Sequence, residues 1–483
     1  MVSALTVLNE AEQEPTGPRP AGGRWWTPAR GWVAGLAVLA SVAAPASAAT
    51  PPPPIGAQSG TFAYVANGGS DRLTMISTAD NTVTGTFAVS PEPNADPNGV
   101  AVSPDGTRVY VANALANTMA IVFPADNSFL TVDVGNNPTA VALSADGGRA
   151  YVTNQNDGSL SVVDTVDVPV QVATFGVGNN PQDLALAANG TKAYIAVRPS
   201  FGVGAVAVFD TVNNTFERTI PVGSFPQGVA ASPDGTRVYV TNFGDGTVSV
   251  IDTANDTVVQ TFSVGGGTTS PADVAVSPDG RRAYTANFGA GNVSVIDLLA
   301  TPPTVIANVD SGQQPEGVAV TPDGSRVYVT SSGNDSVSAI DTTTHTVIEP
   351  PIDGFDIPLG IAIGTRTVGT TPAGLTLEVQ GHGKGRAAEP ASRPDAPGAP
   401  SNPGATLKAR LTSGGRPLAG EEVLFSTGSK VLCIETADGR GEATCTVPGG
   451  KGAPDCYRAA FLGTTTHAAT RAPGCPGHDR RRP

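Results

Sequence analysis

A tyrosine followed by small or β-branched residues recurs seven times: Tyr64 and Tyr110 (YVAN), Tyr151 (YVTN), Tyr194 (YIAV), Tyr239 (YVTN), Tyr284 (YTAN) and Tyr328 (YVTS). The steps between them are 46, 41, 43, 45, 45 and 44 residues, a mean of 44. A second element precedes most copies, as GVAVSPDG from Gly99, GVAASPDG from Gly228 and GVAVTPDG from Gly317. A third follows, VSVID ending at Asp252 and again at Asp297, and after a turn comes a fourth, clearest as TVVQTFSVG from Thr257. Each run alternates Val, Ile or Ala with other residues between Pro-Asp-Gly, Asn-Gly or Asp-Thr turns, which is the period of a strand. Helical repeats share this length, but they need apolar residues at three- and four-residue steps and do not survive repeated Pro-Asp-Gly. Four strands of about six residues with four links of about five fill the unit as a four-stranded blade.

The ends of the array predict how it closes. The first copy begins at Thr61 without the element that precedes each later Tyr, and the last is followed by that element alone, PLGIAIG from Pro358 to Gly364. Joined, they complete a seventh blade, which removes two open sheet edges from a ring. Ala101, Ala142, Ala185, Ala230, Ala275, Ala319 and Ala362 hold one position in all seven innermost strands, where blades crowd the axis. These motifs resemble the YVTN family of seven-bladed β-propellers over residues 60–364. The resemblance implies an all-β ring, and for function a surface or secreted binding protein. Similar rings also serve as lactonases, haem-bearing reductase domains and amine dehydrogenase subunits, so fold alone does not decide.

Charge and cysteine placement narrow the classes. Residues 51–365 carry 10 Lys or Arg against 29 Asp or Glu, a net −19, while residues 366–483 carry 15 against 10, a net +5. An acidic body with no clustered basic face argues against nucleic acid as a partner. The apolar run GWVAGLAVLASVAA at residues 31–44, with Arg24 and Arg30 before it and small residues at Ala46 and Ala48 after it, reads as an export signal spanning residues 1–49. It is shorter than the ~20 residues of a membrane span. The expectation is a secreted or envelope-associated protein with no span in the mature chain, and a Pro-rich linker at 50–59. All four cysteines, Cys433, Cys445, Cys456 and Cys475, follow residue 430 and are disulfide candidates in an oxidising compartment.

Ligands of such rings usually sit over the axial opening, on the face carrying the links into the innermost strands and the links after the Tyr strands. The first set places a Pro in register seven times, at Pro97, Pro138, Pro181, Pro226, Pro271, Pro315 and Pro358, a loop-shaping device. Their variable neighbours Asn98, Gln182, Asp183, Gln227, Asp273 and Glu316 are expected to ring the mouth. In the second set Arg198 is the conspicuous cation, and Phe225, Phe243 and Phe288 offer apolar or stacking contacts. The residues that repeat, the Asn after the Tyr strand and the Asp after VSVI, are expected in turn and capping roles, because a site needs one constellation and not seven. His345, the ring's single histidine, sits in a turn where a solvent-facing role is expected. With one His and no Cys, the ring offers no His-rich zinc site, no bis-His haem and no Ser-His-Asp triad. No cofactor is expected, and a bound divalent cation stays open: Asp183 and Asp273 are a candidate carboxylate pair for acid–base work or for a hard cation, which takes several oxygen ligands.

Beyond a linker at 365–374, residues 375–475 read as a small all-β module with a flexible insertion at 381–404 and a basic tail at 476–483. LTLEVQ, ATLKARLTSGGRPLAG and KVLCIETADGRGEATCTVP resemble bacterial Ig-like surface modules, with Cys433 and Cys445 flanking the ADGRG turn between adjacent strands. The whole is expected to be an exported binding or scaffold protein recognising a protein, glycan or small molecule at the mouth. A lactonase- or lyase-like enzyme with Arg198 polarising and Glu316 handling protons is the alternative, and an accessory redox subunit the third.

Overall fold

The computed structural model describes residues 58–367, apart from 126, 166–168 and 199–202, and the C-terminal segments 371–381, 405–413, 416–417, 422–427, 430–447, 457–461, 467–468 and 470–474. The export signal, most of the Pro-rich linker, the insertion beyond Gly381, the basic tail, Cys456 and Cys475 lie outside them. No helix occurs among the described residues.

Seven antiparallel sheets form the ring, numbered here from the shared blade. Blade I joins Pro358–Arg366 to Gly60–Asn67, Arg72–Ser77 and Thr82–Ala88. The two ends of the repeat array pair from Gly60 opposite Arg366 through Val65 opposite Ile361, so the closure read from the sequence is present. Blades II to VII begin at the innermost strands Pro97–Val102, Pro138–Leu143, Pro181–Leu186, Pro226–Ala231, Pro271–Val276 and Pro315–Val320. Only blade VII departs from four continuous strands. Its outer edge splits into Thr346–Val347 and Ile352–Asp353 around Pro350 and Pro351, because proline cannot donate to the ladder.

The alternation of the Tyr strand assigns its two faces to two junctions. In blade V, Val238 and Val240 pack with Tyr194 and Ala196 of blade IV, while Tyr239 faces blade VI beside Ala283 and Ile296. The core is therefore seven apolar clusters, one in each gap between blades. The conserved-looking alanine position gains a sharper reason than axial crowding. Ala101, Ala142, Ala185, Ala230, Ala275, Ala319 and Ala362 stand directly opposite Tyr110, Tyr151, Tyr194, Tyr239, Tyr284, Tyr328 and Tyr64 in the ladder, where a large side chain would compete with the ring.

The repeated polar residues act structurally. Asn242 donates from Nδ2 to Thr247 and Ser249, both at 2.9 Å, and accepts from Gly223 N at 3.0 Å. Asp252 and Asp341 accept backbone N–H groups two and three residues on, closing their turns. The basic residue before the Tyr often reaches the next blade: Arg108 donates to Thr165 O, Arg149 to Thr211 O and Lys192 to Asp256. His345 belongs to this girdle and is not simply solvent-facing. It is half-buried, and Nε2 meets the Arg282 guanidinium of blade VI.

In the C-terminal module two sheets share a core of Leu407, Ala409, Leu411, Val423, Phe425, Ala443, Cys445 and Ala459. Cys433 and Cys445 are bridged, with Cα atoms 6.3 Å apart. The strands they join lie in different sheets, so the bridge ties one sheet to the other instead of linking ladder neighbours.

Candidate functional site

Each innermost strand enters the ring through a turn whose last residue takes a left-handed backbone. These residues are Asp96, Asn137, Asn180, Phe225, Ser270, Gln314 and Ile357, with φ between 48° and 54°. The proline that follows starts the strand, and the next two residues border the axial opening. Together the seven pairs wall a cavity of about 420 Å³ at the mouth. Asn98, Gln182, Asp183, Gln227, Asp273 and Glu316 line it, as their place beside the prolines suggested. Asp96, Asn137, Thr139 and Gln155 line it too. None of these four was singled out in the sequence, although Thr139 and Gln155 lie within the two loop sets and Asp96 and Asn137 directly precede Pro97 and Pro138.

The third residue of each innermost strand meets the neighbouring blade. A Cβ on Gly228 would stand 2.6 Å from Asp273 Cα, and one on Gly99 would stand 2.6 Å from Ala140 Cα. Where this position is aspartate, the carboxylate crosses the junction. Asp183 Oδ2 accepts from Val229 N at 2.7 Å, and Asp273 Oδ2 accepts from Val318 N at 2.9 Å. These two aspartates thus brace blades IV to V and VI to VII while their outer edges face the cavity. Burial holds both carboxyls above the ordinary aspartate range, and for Asp183 the charge of Asp273 adds to it.

Glu316 is differently placed. Burial pushes its carboxyl up to about 7, against the pull of the nearby Ser332 hydroxyl; Asp273 adds to the rise and Arg198 opposes it. Arg198 Nε donates to Pro226 O at 3.1 Å, Nη2 donates to Gln227 Oε1, and the guanidinium lies 5.8 Å from the Phe243 ring centroid. Phe243 and Phe288 are 5.9 Å apart, inclined at 49°. Arg198, Phe243 and Phe288 therefore form a stack on the rim of blades IV to VI instead of lining the cavity itself. Among the described residues, no cluster of three His, Cys, Asp or Glu is arranged to hold a metal ion.

The cavity wall carries the carboxylates Asp96, Asp183, Asp273 and Glu316 with the amides Asn98, Asn137, Gln155, Gln182 and Gln227, and no Lys or Arg. Amides donate and accept, and a carboxyl held neutral by burial also does both. An anion entering the cavity meets partial negative charge without a facing cation.

Among solved structures, a candidate 6-phosphogluconolactonase of Bacteroides fragilis is 17% identical and covers 63% of this chain and 98% of its own, at a TM-score of 0.52. The periplasmic gluconolactonase of Pseudomonas aeruginosa is 17% identical over 63% of this chain and 99% of its own, at 0.51. Hydrazine synthase of Kuenenia stuttgartiensis is 24% identical over 54% of this chain and 80% of its own, at 0.47. At these identities the likeness concerns the fold. No curated protein matches the chain. The YNCE-like β-propeller family model matches residues 27–361, most of the chain and nearly all of the ring, and the protein belongs to that family.

Proposed function

We propose that the protein binds a small, uncharged, polyhydroxylated molecule in the axial cavity and works as an exported binding protein. The observation carrying this reading is the wall itself: side chains from several blades converge on one axial space, and they are amides and carboxyls that burial pushes toward the acid form. Hydroxyl groups both donate and accept, so such a wall satisfies them without a charge partner. Phosphorylated ligands fit poorly, since the ring carries −19 and the wall offers no cation. Export is supported by the apolar run at residues 31–44 and by the bridged Cys433 and Cys445. The C-terminal module, read as an Ig-like spacer or adhesion element, would hold the ring away from its attachment.

A second reading is favoured by one pair. Glu316, half-protonated near pH 7, and Arg198 on the adjoining rim suit proton transfer to a polarised ester, and two structural neighbours are named for lactone hydrolysis. Calorimetric titration with neutral sugars and aldonolactones, beside a lactone-hydrolysis assay, separates the two. Saturable heat without turnover supports binding. Turnover that falls at least 100-fold in Glu316→Gln and Arg198→Ala supports the enzyme, and neither signal removes both.

A further inference from the structure

Five of the seven residues that turn into the innermost strands are Asp, Asn, Ser or Gln, and two are not: Phe225 and Ile357. Asn and Asp accept a left-handed backbone at low cost, whereas bulky residues there are strained. Burial does not offset that strain at Phe225, which is 55% exposed. Its surroundings are nonetheless shaped around the ring. A Cβ on Gly244 would lie 2.8 Å from Phe225 Cδ2, so glycine leaves room for the phenyl group to rest on the backbone. Phe225 O accepts from Phe243 N at 3.0 Å, which joins its turn to the loop that carries Phe243 of the Arg198–Phe243–Phe288 stack. Two residues further on, Gln227 lines the cavity. Asp96 and Asn137, which hold the same turn position in blades II and III, line the cavity, so Phe225 sets an exposed aromatic at the corresponding place on its rim.

We propose that Phe225 is a specificity-determining residue that selects sugars in ring form, by covering the apolar face of a pyranose whose hydroxyls enter the cavity. The inference rests on the polyol-binding reading and refines it. A pyranose presents a rigid C–H face together with its hydroxyls, and an open-chain alditol presents similar hydroxyls with no such face. Only the former gains from a fixed aromatic surface.

The test uses the full mature chain, titrated with methyl β-glucopyranoside and with sorbitol, for wild type, Phe225→Asn and Ile357→Asn. Wild type should prefer the glucoside by roughly fivefold or more. Phe225→Asn should level the two affinities and melt about 2–4 °C higher, because asparagine relieves the backbone. Ile357→Asn should gain stability in the same way and keep the preference. Equal binding of both probes by wild type, a preference unchanged in Phe225→Asn, or a preference also lost in Ile357→Asn overturns the role of Phe225 and leaves polyol binding standing. Binding of neither probe by wild type sinks the polyol reading, and this inference with it.

Discussion

Glu316→Gln isolates the cavity's electrostatics in a single isosteric change. The carboxyl moves from 4.5 in the free side chain to about 7 in the folded ring, mainly because burial penalises the charged form. A group whose acid form is favoured by folding stabilises fully below its unfolded value and progressively less as pH rises toward the folded one. Between pH 4.5 and about 7 the ring should therefore lose stability, and above that the penalty stays constant. At about 1.4 kcal/mol per pKa unit the ceiling is about 3 kcal/mol. The side of Glu316 that faces the cavity keeps some water, so about 2 kcal/mol is expected. Glutamine has the shape of the neutral acid and never ionises. Glu316→Gln should match wild type at pH 4.5 and exceed it by about 2 kcal/mol at pH 8.5. Urea unfolding followed by far-ultraviolet circular dichroism is the assay, because Trp25, Trp26 and Trp32 all lie ahead of the ring. Equal stability of the two proteins at both pH values would refute a carboxyl at this position whose burial outweighs the pull of Ser332 and Arg198.

Two further outcomes follow from the junctions. His345 meets Arg282 with a neutral Nε2, and burial together with the Arg282 charge holds its pKa below 6.5, against the weaker opposing pull of the Thr342 backbone and Asp341. That contribution should be complete above pH 6.5 and disappear as pH falls through the lowered folded value. His345→Asn, which copies Asn81 of blade I, should flatten this part of the pH–stability curve. Asn242→Ala should cost about 1–3 kcal/mol in urea unfolding, because it strands Gly223 N and leaves the buried Ser249 hydroxyl with only its 3.4 Å contact to Thr261.

How legible the molecule was in its sequence depended on whether a feature was local or required two blades. Strand period, turn residues and the missing first element are local, and they led to four-stranded blades and a shared closing sheet. The residues flanking each proline were also readable as mouth residues, since Pro97 to Pro358 set one register for all of them. What spans a junction was not readable. Asp183 and Asp273 looked like a free carboxylate pair until Val229 N and Val318 N from neighbouring blades were seen to bind them. His345 looked like a surface turn residue because its partner, Arg282, lies 63 residues earlier on another blade. Asp96 and Asn137 escaped notice because a left-handed φ ahead of proline leaves no mark beyond a turn-forming residue. The disulfide was anticipated between the right cysteines but across the wrong gap, since a short loop does not reveal when the chain crosses between sheets.

The closed ring depends most on the two ends of the repeat array sharing blade I. Thr61 and Thr365 face each other in that sheet with their hydroxyl oxygens 3.0 Å apart, 304 residues apart in sequence. Replacing both with cysteine and measuring intramolecular disulfide formation by intact mass under mild oxidation tests the pairing directly. A closed ring should give a rapid monomeric bridge that raises resistance to denaturant by up to about 5 kcal/mol, as expected for a loop this long. Free thiols after oxidation, or bridges only between separate molecules, would contradict the closed ring.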